Sequence, residues 1–311
     1  MVNAMHTKKG TVDVSMAIDG SMAPVVIFSE NPAHSEITAM KKYVADMLLC
    51  ECYIRNIGLI DLRDNSYHGG TTLSSGALPK WDIEEVFIKV CSISPEGQWL
   101  MDSLHESYAM DLFTHSGVSV ADAVPAYVVF FNTETRTEEV RLCEVAVRFT
   151  GDITYYRDLR RMRNYGSIND ELVDFTIDFP KITIGLLNMF AVDYIMNQED
   201  RHVKNFGVLA NGCFAPLYDN GCSLHYDWAD ANLNFTQNGV ARVKFLAKDP
   251  MDMIQQYYKW LGVKPCIDFG IILGNLDIID IRYKGLMSGR RLDFNRKIVE
   301  GRVAKCKEIL Y

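Results

Sequence analysis

The sequence predicts an α+β protein with a small antiparallel sheet in its first half and a mostly helical second half. Two observations support this: β-branched, alternating segments precede Gly151, and apolar residues recur at helical spacing after about residue 152. A helix is predicted over 95–116, with Gly117 just after its end. The strands of the first half are predicted at 85–90, 126–131 and 140–149.

The second half is predicted to hold a long helix followed by a polar loop and a hairpin. Apolar residues at helical spacing run over 182–198 and lead directly to Asp200. The Asn211-Gly212 pair predicts the turn of a hairpin over 206–217. Three or four helices are expected over 249–311. We therefore divide the chain into an N-terminal extension (1–66) packed on the sheet unit, the sheet unit itself (67–150) and a helical unit (151–311).

Composition and charge narrow the function classes. The hydrophobic fraction of 48% and the charged fraction of 23% are typical of a globular protein without membrane contact. The N-terminal residues lack an apolar signal-peptide core, which favours a cytoplasmic location. The formal charge of −8 argues against direct nucleic acid binding, and we interpret the basic run Arg157–Arg163 as a solvated helix face. The eight cysteines form no CxxC pair and are expected to be reduced.

Three polar residues predict phosphoryl transfer from a nucleotide. Asn205 follows Asp200 by five positions, and Asp219 follows Asn205 by fourteen, beyond the predicted hairpin turn. Transfer to a hydroxyl needs a carboxylate at the acceptor, and an amide oxygen and a second carboxylate on the metal ions. We assign Asp200 as the catalytic carboxylate and Asn205 and Asp219 as Mg²⁺ ligands. The alternatives are helix capping or pairing with Arg201 for Asp200, and turn roles for the other two.

Two charged residues inside the same loop are candidates for contact with the nucleotide. Lys204 could stabilise phosphate charge. His202 is expected to hydrogen-bond a backbone carbonyl or Asp219 rather than to act as a catalytic base.

Lys89 lies in the middle of a predicted strand, between Ile88 and Val90. A strand lysine that binds the ATP phosphates and pairs with a glutamate on the next helix explains this position. Glu106 is the expected partner, with Glu96 as the alternative. The competing interpretation is a lysine that protects an edge strand from aggregation.

The segment 69–80 is a candidate phosphate-binding loop, although it contains neither GxxxxGK[ST] nor GxGxxG. Small residues would let backbone N–H groups approach phosphate. The candidate ligands are Ser74, Ser75, Gly76 and Lys80. A plain flexible loop is the alternative.

Over about residues 68–225 these motifs resemble those of the HipA-like serine/threonine kinases, including the shorter CtkA-like relatives. The resemblance rests on the loop ending at Lys80, on Lys89, on Glu106, and above all on Asp200–Asn205 and Tyr218-Asp219. It implies a bilobal, protein-kinase-like fold, ATP and Mg²⁺ as cofactors, and a protein substrate. An antitoxin or another regulatory protein is a further implied partner.

The resemblance also implies roles for two other segments. Arg148-Phe149 matches the hinge signature, so adenine is expected near Val147 and Phe149. Ser74 or Ser75 stands where the family autophosphorylates its Gly-rich loop. The sequence departs from the family at Thr150-Gly151, where a second Asp-Arg pair is usual, and residues 1–60 do not resemble the family's separate N-terminal domain.

Other functions remain open at this point. A small-molecule phosphotransferase uses the same Asp-to-Asn spacing, and a lipid kinase resembles the Asp-Arg-His run. A pseudokinase that serves as a partner-binding module is the non-enzymatic alternative, although it would not need Lys89, Asp200, Asn205 and Asp219 together.

Overall fold

The computed structural model of this chain describes most of the site residues predicted above. The described residues are 25–27, 37–42, 44, 59–63, 80–83, 85–93, 100–132, 135–149, 153–163, 176–177, 180–235, 239, 242 and 248–310. Ser74, Ser75 and Gly76 of the predicted phosphate loop, and the alternative partner Glu96, lie outside them.

A six-stranded sheet forms the first half of the molecule, with the strand order β1-β2-β5-β6-β4-β3. The neighbours β5, β6, β4 and β3 pair antiparallel with one another, as predicted, whereas β1, β2 and β5 run parallel to one another. The sheet is therefore mixed, and two strands of the predicted N-terminal extension join it. Its strands are β1 (Val25–Ile27), β2 (Leu59–Asp61), β3 (Lys80–Ile83), β4 (Val86–Val90), β5 (Ala123–Asn132) and β6 (Thr137–Val147).

Strand β4 shows how the sheet separates core from site. Val86, Ile88 and Val90 are fully buried, because alternate side chains of a strand point to the same face. Phe87 and Lys89 lie on the opposite, half-buried face. The lysine is thereby placed away from the apolar core.

Helix α1 (Leu104–Phe113) crosses the sheet, and all ten of its residues are buried. It begins later than the predicted residue 95, because residues 101–103 form a turn in which the Asp102 carboxylate accepts hydrogen bonds from the backbone N–H groups of Ser92 and Ser103. It also ends at Phe113, not beside Gly117. Gly117 instead lies in the following turn at a φ of 90°, where a side chain would meet the carbonyl of Cys266.

The second half is mainly helical. The predicted helix over 182–198 is present as α3, and the predicted helices after residue 249 are α4, α5 and α6. None of the helices in the described part of the chain is long and apolar enough to cross a bilayer. The elements are β7 (Ile153–Tyr155), α2 (Tyr156–Arg163), α3 (Thr183–Met196), β8 (Gly207–Leu209), α4 (Pro250–Leu261), α5 (Phe269–Arg282) and α6 (Gly289–Leu310), with 3-10 turns at Pro180–Ile182 and Asp230–Asn232.

The predicted hairpin over 206–217 is only partly correct. The turn at Asn211-Gly212 forms, with Gly212 at a φ of 80° and its N–H donating to the carbonyl of Leu209. The ladder partner of β8 is β7, however, and the return segment contributes a single bridge between Val208 and Phe214. The sequence does not predict the pairing of β7 with β8, because β7 has only three residues.

Candidate active site

The loop after α3 is fixed by its first residues. Asn197 ends the helix in the left-handed conformation, and the Gln198 side chain then bridges two backbones. Its Nε2 donates to the carbonyl of Asp219 (3.0 Å), while its Oε1 accepts from the N–H of Asp200 (3.0 Å). Gln198 thus ties the catalytic candidate to the metal-ligand candidate, a role that the sequence did not reveal.

Asn205 is held beside Asp200. Its Nδ2 donates to the backbone carbonyl of Asp200 at 3.1 Å, and the residue is 3% exposed. Because the amide nitrogen is engaged, the amide oxygen remains as the acceptor of the side chain. An amide oxygen and the carboxylate of Asp219 form a donor set that suits Mg²⁺, which takes one or two carboxylates and completes its shell with water and phosphate oxygens.

Arg201 is the centre of a buried network beneath this loop. Its Nε and Nη2 both bind the Asp193 carboxylate of α3, with a shortest distance of 2.9 Å, and both residues are almost fully buried. Its Nη1 donates to the carbonyls of Asn205 (3.2 Å) and Tyr218 (2.9 Å). Arg201 therefore pairs with Asp193 and not with Asp200, and it joins the segment around Asn205 to the segment around Asp219.

Lys89 reaches the metal-ligand candidate across the molecule. Its Nζ donates to Oδ1 of Asp219 at 3.0 Å, a contact between residues 130 positions apart. Burial would lower the pKa of Lys89, but the carboxylates of Asp219, Glu144 and Glu106 raise it well above its ordinary value. Lys89 in turn holds the pKa of Asp219 below its ordinary value, although burial opposes the shift. Both side chains are therefore charged at neutral pH.

Glu106 lies below this pair on α1. Lys89 donates to Asp219 rather than to Glu106, and a carboxylate oxygen of Glu106 accepts a hydrogen bond from the backbone N–H of Asn220. Burial raises the pKa of Glu106 to about 7, whereas Lys89 acts in the opposite direction. The neighbouring His105 contacts the carbonyl of Ser223 through Nδ1 at 2.8 Å. Helix α1 thus holds the segment after Asp219 at two points.

Lys80 lies next to Lys89 on the adjacent strand, in direct register. It is 7% exposed, and burial together with the Lys89 charge lowers its pKa. On the other side of Lys89, Glu144 of β6 stands in direct register and is 3% exposed. Glu144 was missed in the sequence, although an acidic residue between Cys143 and Val145 in an apolar strand is an unusual feature.

The remaining candidates lie around the loop and the end of β6. The His202 Nδ1 accepts from the N–H of Lys204 at 3.3 Å, and Lys204 is exposed. The phenol of Tyr218 donates to the carbonyl of Lys204 at 2.7 Å, and its ring lies 5.9 Å from that of Phe149. Val147 ends β6, and Phe149 of the predicted hinge lies just beyond the strand, next to Tyr218.

No protein-family model matches the chain, and neither does any curated protein. Among solved structures, the proinflammatory kinase CtkA from Helicobacter pylori matches with a TM-score of 0.47 and 15% sequence identity, over 81% of this chain and 96% of that chain. The roles of individual residues rest on the contacts within this chain.

Proposed function

We propose that this protein is an ATP- and Mg²⁺-dependent serine/threonine protein kinase of the HipA-like type. The observation that carries the proposal is the contact of Lys89 with Asp219 beside the Asp200–Asn205 loop. It joins a cation from the sheet to an acid from the helical half, and the Asn205 amide next to them is bonded to the backbone of Asp200, the proposed catalytic residue. That combination is what transfer of a phosphoryl group to a hydroxyl requires.

Each residue has one task in this reaction. The Asp200 carboxylate orients the acceptor hydroxyl and accepts its proton as the γ-phosphoryl group passes from ATP to the hydroxyl oxygen and ADP leaves. Lys89 binds the negatively charged phosphates, and Lys80 adds a second positive charge next to it. Mg²⁺, held by Asn205 and Asp219, would supply compensation for the charge of the triphosphate.

The substrate and the partners are assigned by the resemblance of the motifs. We propose a protein hydroxyl as the acceptor, autophosphorylation at Ser74 or Ser75, and adenine near Val147 and Phe149. An antitoxin or another regulatory protein and a cytoplasmic location complete the proposal.

The decisive experiment is incubation with γ-labelled ATP and Mg²⁺, comparing the wild-type protein with Asp200→Asn and read by label transfer and intact mass. The matched control is Asp252→Asn, which removes an exposed carboxylate in the first turn of α4. We expect label on the wild type and on the control but not on Asp200→Asn, whose affinity for Mg·ATP should be retained. Equal labelling of Asp200→Asn would refute the assignment.

Two other results would redirect the proposal. Tight Mg·ATP binding without any transfer would indicate a small-molecule or lipid phosphotransferase, or a pseudokinase. If Asp219→Ala bound Mg·ATP as tightly as the wild type, Asp219 would not be a metal ligand.

A further inference from the structure

The Glu144 side chain has no task in the fold that accounts for its burial. It is 3% exposed, and its Oε2 has no hydrogen-bond partner among the described residues. A buried carboxyl oxygen without a partner destabilises a protein, and such groups are retained mainly at functional sites. The position of Glu144 therefore needs a functional explanation.

The strand register aims this carboxyl at Lys89. Glu144 of β6 stands directly opposite Lys89 of β4, and Lys80 stands directly opposite Lys89 on its other side. Burial raises the pKa of Glu144 well above its ordinary value, and the Lys89 charge acts in the opposite direction; Glu144 is in turn one of the acids that raise the pKa of Lys89. Lys89 is therefore surrounded by three acids, and it donates a hydrogen bond to one of them, Asp219.

Asp219 cannot serve as the lasting partner of Lys89 in the proposed reaction. Its carboxylate contacts Lys89 now, but the same carboxylate is a proposed Mg²⁺ ligand when nucleotide is bound. Glu106 is also engaged, because it accepts the N–H of Asn220. Glu144 Oε2, by contrast, is a fully buried acid oxygen that has no hydrogen-bond partner among the described residues.

We propose that Glu144 is a positioning residue, which holds the Lys89 ammonium at the nucleotide phosphates when Asp219 turns to the metal ion. The inference rests on the proposed function and adds a residue to it. Lys89 then exchanges one carboxylate partner for another and stays charged throughout. In this role the strand, rather than the helix, supplies the acid that orients the lysine.

The test compares the wild type with Glu144→Gln, which keeps the shape of the side chain and removes its ability to ionise. Glu138→Gln is the matched control, because Glu138 lies at the far end of the same strand and is exposed. Phosphoryl transfer is measured as kcat and as KM for Mg·ATP, and folding by the thermal midpoint. We expect Glu144→Gln to lower kcat/KM about tenfold, mostly through a higher KM for Mg·ATP, with an unchanged or higher midpoint, and Glu138→Gln to match the wild type.

A double-mutant cycle separates positioning from a structural effect. Mg·ATP affinity is measured by calorimetry for Lys89→Met, Glu144→Gln and the double variant. If Glu144 acts through Lys89, the second substitution changes the affinity of Lys89→Met less than twofold. Additive losses, or wild-type kinetics in Glu144→Gln, would overturn the inference. Absence of transfer and of Mg·ATP binding in the wild type would instead overturn the proposed function.

Discussion

Replacing Arg201 by leucine tests whether the buried guanidinium is the element that holds the two site loops together. Arg201 is fully buried, and its partner Asp193 is 1% exposed. The substitution leaves the Asp193 carboxylate without its ion pair inside the protein. Breaking a buried pair by removing one partner destabilises proteins by about 3–5 kcal/mol. We expect a loss of that size in the free energy of unfolding.

The assay is urea unfolding at pH 7, followed by tryptophan fluorescence. The matched control is Arg296→Leu, since Arg296 binds the carboxylates of Asp277, Asp280 and Glu300 at the surface. Exposed pairs contribute about 0–1 kcal/mol, so the control should unfold almost as the wild type does. The contrast isolates burial, because the control arginine has more acidic partners than Arg201.

A second substitution gives the prediction its sharpest form. Adding Asp193→Leu to Arg201→Leu removes the unpaired charge, so we expect at least half of the lost stability to return. The hydrogen bonds from Arg201 to the carbonyls of Asn205 and Tyr218 stay lost, so Mg·ATP affinity should not recover with stability. A loss below about 1 kcal/mol in Arg201→Leu, equal to that of the surface control, would refute the reasoning.

Two further predictions concern the segment after Asp219. Burial raises the pKa of Glu106 from 4.5 to about 7, so the folded state binds more protons than the unfolded state between these pH values. The free energy of unfolding should therefore fall as pH rises through this range. Urea titrations should show a flatter pH profile for Glu106→Gln than for the wild type, and an identical profile would contradict this origin. Gly221→Ala would place a methyl group 1.6 Å from the carbonyl oxygen of Asp102, so we expect a loss of about 1–3 kcal/mol in unfolding free energy. The control Gly274→Ala, which faces open space on α5, should gain about 0.5–1 kcal/mol in unfolding free energy.

The order of the candidate site residues can be read from the sequence, but the hydrogen bonds that connect them cannot. Asp200, Asn205 and Asp219 can be proposed as candidates because their types and spacings suit the chemistry, and Lys89 because a lysine in an apolar strand is conspicuous. The bonds of Gln198 and Arg201 could not be foreseen. Their hydrogen-bond partners depend on how the loop folds back on itself, and the spacing of residues along the sequence does not determine this.

Strand and helix boundaries were missed where tertiary contacts override local pattern. The sequence predicts that Lys80 ends a loop, because the strand has only four residues and follows a turn-rich segment. In the structure Lys80 begins β3. Glu144 interrupts the apolar run at the end of β6, but the same strand also carries Glu138 and Glu139, so its position alone does not single it out. Its significance appears only when the strand register places it opposite Lys89.

The enclosure of α1 has a consequence for the choice of inhibitors. Asp111 on this helix accepts hydrogen bonds from Arg282 and Tyr283, and Asn275 donates to the carbonyls of Leu112 and Thr114. A compound that worked by wedging the helix outward would have to break all of these bonds together with the apolar packing around them. If the proposed function holds, effective ligands should compete with the proposed nucleotide at Lys89, and we expect screens that reward displacement of this helix to return few hits.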